Sequence, residues 1–169
     1  MDAMEMILTR RSIRKYTDKP VTDEQIEEIL NAAMHAPSAG NQQPWHFVVI
    51  RDREILDRIS DFHPYAGMVQ IAPVVIVVCG DTDLEKHRGF WVQDCSAATQ
   101  NILLAVHAMG LGAVWAGVFP EGARVEGFKK LLGLPDHVHP LALIPIGYPA
   151  ETKPQPKRFE RSRIHHNKW

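Results

Sequence analysis

Three short stretches of the chain gather the groups best suited to holding a polar ligand. Arg10, Arg11, Ser12 and Arg14 place three guanidiniums and a hydroxyl close together. Such donors can clamp a phosphate through bidentate, charge-assisted hydrogen bonds, and the bland alternative is a solvated basic surface. The second stretch runs from Ala36 to Trp45 and holds two prolines, a glycine and three side-chain amides. It reads as a turn-rich loop of the kind that binds ligands, or as a turn capped by its own amides. Within it Asn41 and Gln43 can each donate and accept, while Pro37 and Pro44 restrict the loop's shape. The third stretch centres on Gly117, within Trp115–Pro120, where a missing side chain lets backbone approach a planar ligand or simply serves a turn.

These groups need a frame, and hydrophobic spacing supplies one. Residues 2–9 form an amphipathic helix with Ala3, Met4, Ile7 and Leu8 on one side, ending at the arginines. Thr22 with Gln25 makes a capping box for a helix buried through Ile26, Ile29, Leu30 and Ala33, which Pro37 terminates. His46–Ile50 and Pro73–Cys79 are strands, the second buried on both faces, with a helix near 53–60 between them. The stripe Trp91, Cys95, Ala98, Ile102, Ala105, Val106 and Met109 predicts the longest helix, closed by Gly110. Its small residues suit either a core helix or a dimer interface. Ala113–Ala116 is a third strand, 123–132 a helix, and Leu141–Ile146 a fourth strand. Alternating strands and helices would ordinarily indicate a parallel, doubly wound sheet. After Gly147 the chain is rich in proline and basic residues, among them Arg161 and Arg163, and is either disordered or docked on another surface.

Bulk properties narrow the function. At 169 residues and 45% hydrophobic content, one domain with a substantial core is expected. A net charge of -1 argues against a general nucleic-acid or membrane-surface role, so any basic site is local. The start Met1–Glu5 is acidic and no apolar run approaches a membrane span, which points to a soluble cytoplasmic protein. Cys79 and Cys95 read as buried reduced thiols. His137-Val138-His139 and His165-His166 read as polar loops, with no metal site assigned because no ligand set at metal spacing accompanies them. Gly110-Leu111-Gly112 lacks a dinucleotide fingerprint's third glycine and preceding strand.

Together, Arg10–Arg14, the Pro37–Trp45 loop and the Arg161-Ser162-Arg163 end resemble the FMN-dependent nitroreductase family, over nearly the whole chain. The resemblance implies an α+β fold: a mixed, mainly antiparallel central sheet flanked by helices in an intertwined homodimer. Residues 1–148 would be the FMN-binding domain and 149–169 a C-terminal tail docking on the partner subunit. It implies Arg10, Arg161 and Arg163 at the FMN phosphate, Ser12 on the ribityl-phosphate chain, and Arg14 toward the flavin's N1/O2 edge, with Arg11 also among the cofactor-binding residues. Pro37, Ser38, Ala39 and Asn41 would cover the flavin from the partner, Gln43 with Asn41 would suit its pyrimidine edge or ribityl hydroxyls, and Gly117 and Val118 would face N5. Met68 stands about where some longer members carry a lysine. The short Leu84–Phe90 segment implies an open pocket, with Phe62, His63, Tyr65 and Phe90 as wall candidates. The implied activity is ping-pong transfer from NAD(P)H through FMN to nitroaromatics, quinones or flavins, without an assigned protein acid or base. The alternatives are a flavin-binding or storage protein, or a relative specialised for flavin destruction or dehalogenation.

Overall fold

A computed structural model describes residues 2–169. Helices α1 (Ala3–Thr9), α2 (Asp23–Met34), α3 (Arg53–Arg58), α4 (Trp91–Ala108) and α5 (Gly122–Leu132) surround one sheet. Its strands are β1 (Trp45–Ile50), β2 (Val74–Asp81), β3 (Gly112–Ala113), β4 (Ala116–Gly117) and β5 (Val138–Gly147). The order is β1-β2-β5-β3, with β4 also on β5, and every named pairing is antiparallel. Among the described residues only an isolated Ser12–Ala113 bridge is parallel, so the doubly wound expectation is corrected and the α+β one holds.

Strand alternation divides the core into two layers. Val74, Ile76 and Val78 face α2 and α4 with Trp45, Ile102 and Ile144. Val75, Val77 and Cys79 face the other side with Leu56, Ile59, Phe128 and Leu143. The Thr22–Gln25 capping box forms as read, and Ile26, Ile29 and Ala33 are buried. At the start of α4, Glu85 does the capping, its Oε1 accepting from the Gly89 and Trp91 amides at 2.8 and 2.9 Å. Gly110 then ends the helix region at φ 72°.

The single strand expected at 113–116 is two short ones. Gly112 and Ala113 pair with Gly147 and Ile146, Ala116 and Gly117 with Leu143 and Ala142, in one continuous register. The gap lies opposite Pro145, which has no N–H to return to the ladder. A second irregularity lies where β2 and β5 shift register between Val78 and Cys79. There Leu141 is the extra residue, and its carbonyl accepts from both the Val118 and Phe119 amides at 3.0 and 3.1 Å. These two features bring Gly117 to an open edge.

Segment 10–16 runs extended beside β3. Ile13 N–H donates to Ala113 O at 2.9 Å, and Ile13 packs so closely on Gly112 that a Cβ there would meet it at 2.8 Å. Tyr16 Oη locks the segment by donating to Ile13 O and Pro145 O. Chain 149–155 lies along the outside of this segment through Ala150 N–H to Lys15 O, Lys153 Nζ to Ser12 O and Arg11 Nε to Pro154 O. Residues beyond 155 are exposed, including Phe159, Ile164 and Trp169.

Candidate functional site

One cleft, of about 770 Å³, is lined by Arg10, Arg11, Lys157, Arg158 and Phe159 with Ile7 and Leu8 of α1. Arg11 is fixed by donating from Nε to Pro154 O (2.8 Å) and from Nη1 to Arg10 O (2.6 Å), yet its buried Nη2 has no partner. Burial, then Arg158, then Arg11 lower the pKa of Arg10. Among the described residues no carboxylate lies within 4.0 Å of Arg10, Arg11 or Arg158. Crowded, unpaired guanidiniums with an orphan buried donor suit a polyvalent anion. Arg158 was not singled out in the sequence, where it is one basic residue of many in the tail. Arg161 and Arg163 instead occupy an exposed turn capped by Glu160 and line neither this cleft nor the next.

The second cleft, about 420 Å³, brings Arg14, Met68 and Gly117 together with His63, Tyr65, Trp115 and Arg124. Arg14 sits four residues along the extended segment from Arg10, about 13 Å at strand rise. Its amide donates to Glu151 Oε1, which leaves the exposed guanidinium free to turn into the cleft. Gly117 stands at a non-hydrogen-bonded position opposite Ala142, so its N–H and C=O point away from β5. The carbonyl accepts from His63 Nε2 at 3.1 Å and Arg124 Nη1 at 2.9 Å. Val118 is fully buried and its amide is committed to Leu141, whereas the Gly117 N–H points to the cleft side of β4. Of the wall candidates, His63 and Tyr65 line this cleft, whereas Phe62 packs edge-on against Phe128 at 5.0 Å and Phe90 is exposed before α4.

The loop after α2 joins neither cleft. Asp94 of α4 is buried and accepts from the Ala39 amide (2.9 Å) and Gln42 Nε2 (2.6 Å). Gln42 Oε1 in turn accepts from the Lys86 and His87 amides. Ser38 Oγ accepts from the Gln43 amide. Gly40, Asn41 and Gln43 adopt positive φ of 53°, 52° and 48°, an arrangement this bracing maintains. Pro37, Asn41 and Gln43 are exposed, with Ser38 and Ala39 half-buried, so the loop presents its polar face outward. Asp94 and Gln42 carry this geometry through contacts more than 40 residues apart in sequence, which no local motif signals.

Elsewhere, Cys79 and Cys95 are free and buried, and burial pushes the Cys79 thiol up to about 12. His137 does meet carboxylates from distant sequence: Nε2 lies 3.9 Å from Asp81 and Nδ1 3.7 Å from Asp83, a set the linear spacing hides. His165 stacks on Trp169 at 4.3 Å. No helix among the described residues is long and apolar enough to cross a membrane.

The helix-flanked antiparallel sheet that carries these clefts has known counterparts. The model of the nitroreductase family matches residues 7–63 and 63–148, and the chain belongs to that family. A Methanothermobacter thermautotrophicus protein, provisionally named an NADH dehydrogenase/NAD(P)H nitroreductase, is 57% identical across all of this chain and 88% of its own. An FMN-dependent nitroreductase of Clostridium difficile R20291 superposes with a TM-score of 0.90 at 29% identity, over 98% of this chain and 99% of that one. A Desulfovibrio desulfuricans protein, provisionally described as a nitroreductase and solved in complex with FMN, gives 0.86 at 34% identity over 100% and 99%.

Proposed function

We propose that the chain is an FMN-dependent oxidoreductase that takes electrons from NAD(P)H and delivers them to electron-poor small molecules such as nitroaromatics, quinones or flavins. The observation carrying this reading is the carboxylate-free Arg10–Arg11–Arg158 cluster with its unpartnered buried Arg11 Nη2, joined by an extended segment to Arg14 and Gly117. A phosphate at one end and a planar ring at the other fit that arrangement, and the relatives named above bring FMN to it. Bound FMN supplies the redox chemistry, alternating between NAD(P)H and acceptor in a ping-pong sequence. Arg10, Arg11 and Arg158 hold the phosphate, with Arg161 and Arg163 closing on it from the tail and Ser12 beside the ribityl chain. Arg14 brings positive charge to the pyrimidine edge, where it favours developing negative charge. Gly117 presents its N–H to the reactive edge, and Val118 secures that strand.

The working unit is a homodimer. Met4, Ile7 and Leu8 of α1 are each more than half exposed and Trp169 is wholly so, apolar side chains that a partner subunit would cover. Residues 1–148 form the binding domain. The tail 149–169, past its anchorage at 149–155, docks on the partner, and Pro37, Ser38, Ala39, Asn41 and Gln43 cover the partner's site.

Initial rates with NADPH and a nitroaromatic or quinone test the reading. Parallel double-reciprocal lines are expected. Intersecting lines would refute the ping-pong order, and FMN that binds but turns over no acceptor would favour a flavin-storage role.

A further inference from the structure

We infer that His63 and Arg124 are positioning residues that clamp the Gly117 carbonyl and so fix which backbone group the β4 edge offers its ligand. The inference rests on the function proposed above. Two donors from different elements converge on one oxygen: His63 from the turn after α3 and Arg124 from the first turn of α5, at 3.1 and 2.9 Å. A carbonyl oxygen has two lone pairs, and here both are used. On the other side of the same peptide, the Val118 amide is bound to Leu141 O at 3.0 Å. The 117–118 peptide is thus held from both sides at a residue whose missing Cβ would otherwise leave its backbone free to turn. Left loose, that edge could present a carbonyl to the ligand. Clamped, its carbonyl is already taken up, and the Gly117 N–H, on the preceding peptide set by the Ala116–Leu143 pairing, is the group left to the ligand.

The state of the imidazole follows from its partners. Gly117 O can only accept, so Nε2 carries the proton. His63 is 1% exposed and packs edge-on to Phe128 at 6.5 Å, with Nδ1 buried and unpartnered. Burial, then Arg124, lower its pKa, which keeps the ring neutral and Nδ1 bare. Packing alone would be served better by an apolar side chain of similar volume, since an orphan buried nitrogen carries a cost. The imidazole's one made bond is to Gly117. Among the described residues Arg124 has no carboxylate within 4.0 Å and is held by this carbonyl and by the Tyr65 ring 5.3 Å away.

The test uses the FMN-loaded protein and four variants, His63→Leu, His63→Gln, Arg124→Met and Arg124→Lys. His63→Leu and Arg124→Met should each slow hydride uptake about tenfold, the worth of one well-made hydrogen bond, and lower the flavin potential. FMN affinity should fall less than the rate, because neither residue lines the phosphate cleft that anchors the cofactor. His63→Gln and Arg124→Lys, which keep a donor, should recover most of the loss. Ring 15N resonances of His63 should show a protonated Nε2 and bare Nδ1. If His63→Leu fails to fold, Arg124→Met decides, its side chain being partly exposed. Unchanged potential and rate in Arg124→Met with FMN bound would overturn this inference alone, as would equal losses in His63→Leu and His63→Gln. Wild-type protein that binds no FMN, or is not reduced by NADPH or NADH, would overturn the proposed function as well.

Discussion

Replacing Arg10 with alanine separates a phosphate clamp from an ordinary basic surface. In the cleft Arg10 lies with Arg11 and Arg158, and among the described residues no carboxylate approaches within 4.0 Å of any of them. Like charges held together unpaired disfavour one another, as the lowered pKa of Arg10 records. A bound phosphate would reverse that penalty and accept a charge-assisted bond worth about 1.5–3 kcal/mol, so losing Arg10 should weaken FMN about ten- to hundredfold. Relief of repulsion lets Arg11 and Arg158 reposition, which places the loss toward the lower end. The ligand-free variant should be no less stable than wild type and slightly more so at low salt, where repulsion is least screened. Flavin fluorescence quenching, run with FMN and with riboflavin, provides the assay. FMN affinity should fall and become less salt-dependent, while riboflavin, lacking the phosphate, should bind poorly to both proteins and equally. Unchanged FMN affinity, or an equal loss for riboflavin, refutes the clamp.

Arg14→Met should lower the midpoint potential of bound FMN and slow hydride uptake by about 2–4 kcal/mol, with a smaller loss of affinity, as redox titration and stopped-flow traces would record. An unshifted potential would make Arg14 a binding contact only. Asp94→Asn should destabilise the chain by about 1.5–3 kcal/mol in urea unfolding, because the Ala39 amide and Gln42 lose a buried anionic acceptor. His63, His107 and His139 all have pKa values lowered, chiefly by burial, from the ordinary imidazole value of about 6.5. The unfolded chain therefore takes up their protons first, and stability present above pH 6.5 should be lost as pH falls through the folded-state values. A urea midpoint that stays flat from neutral pH down through that range would contradict this burial.

Local signals in the chain revealed the elements better than their arrangement. The Thr22 capping box, the Val/Ile run of β2 and the stripe of α4 are each written within a few residues, and each appears in place. Strand direction is not local, so helix–strand alternation alone suggested a parallel sheet and only the family resemblance supplied the antiparallel one. The break between β3 and β4 depends on Pro145, which becomes relevant only once β5 lies opposite. The site divides the same way. Arg10, Arg14 and Gly117 stood out by type and spacing, and they line the two clefts. Arg158, Asp94, Gln42 and Arg124 matter through partners distant in sequence or through burial, neither of which a residue pattern displays, and His63, named as a wall candidate, lines the cleft but meets Gly117 only in the fold.

Anaerobic mixing of the FMN-loaded protein with NADPH or NADH tests the central claim most directly. The flavin's visible absorbance should bleach at a rate that saturates with nucleotide, and return when a nitroaromatic or quinone is added in stoichiometric amount. Protein that carries FMN but stays oxidised with either nucleotide would contradict the account.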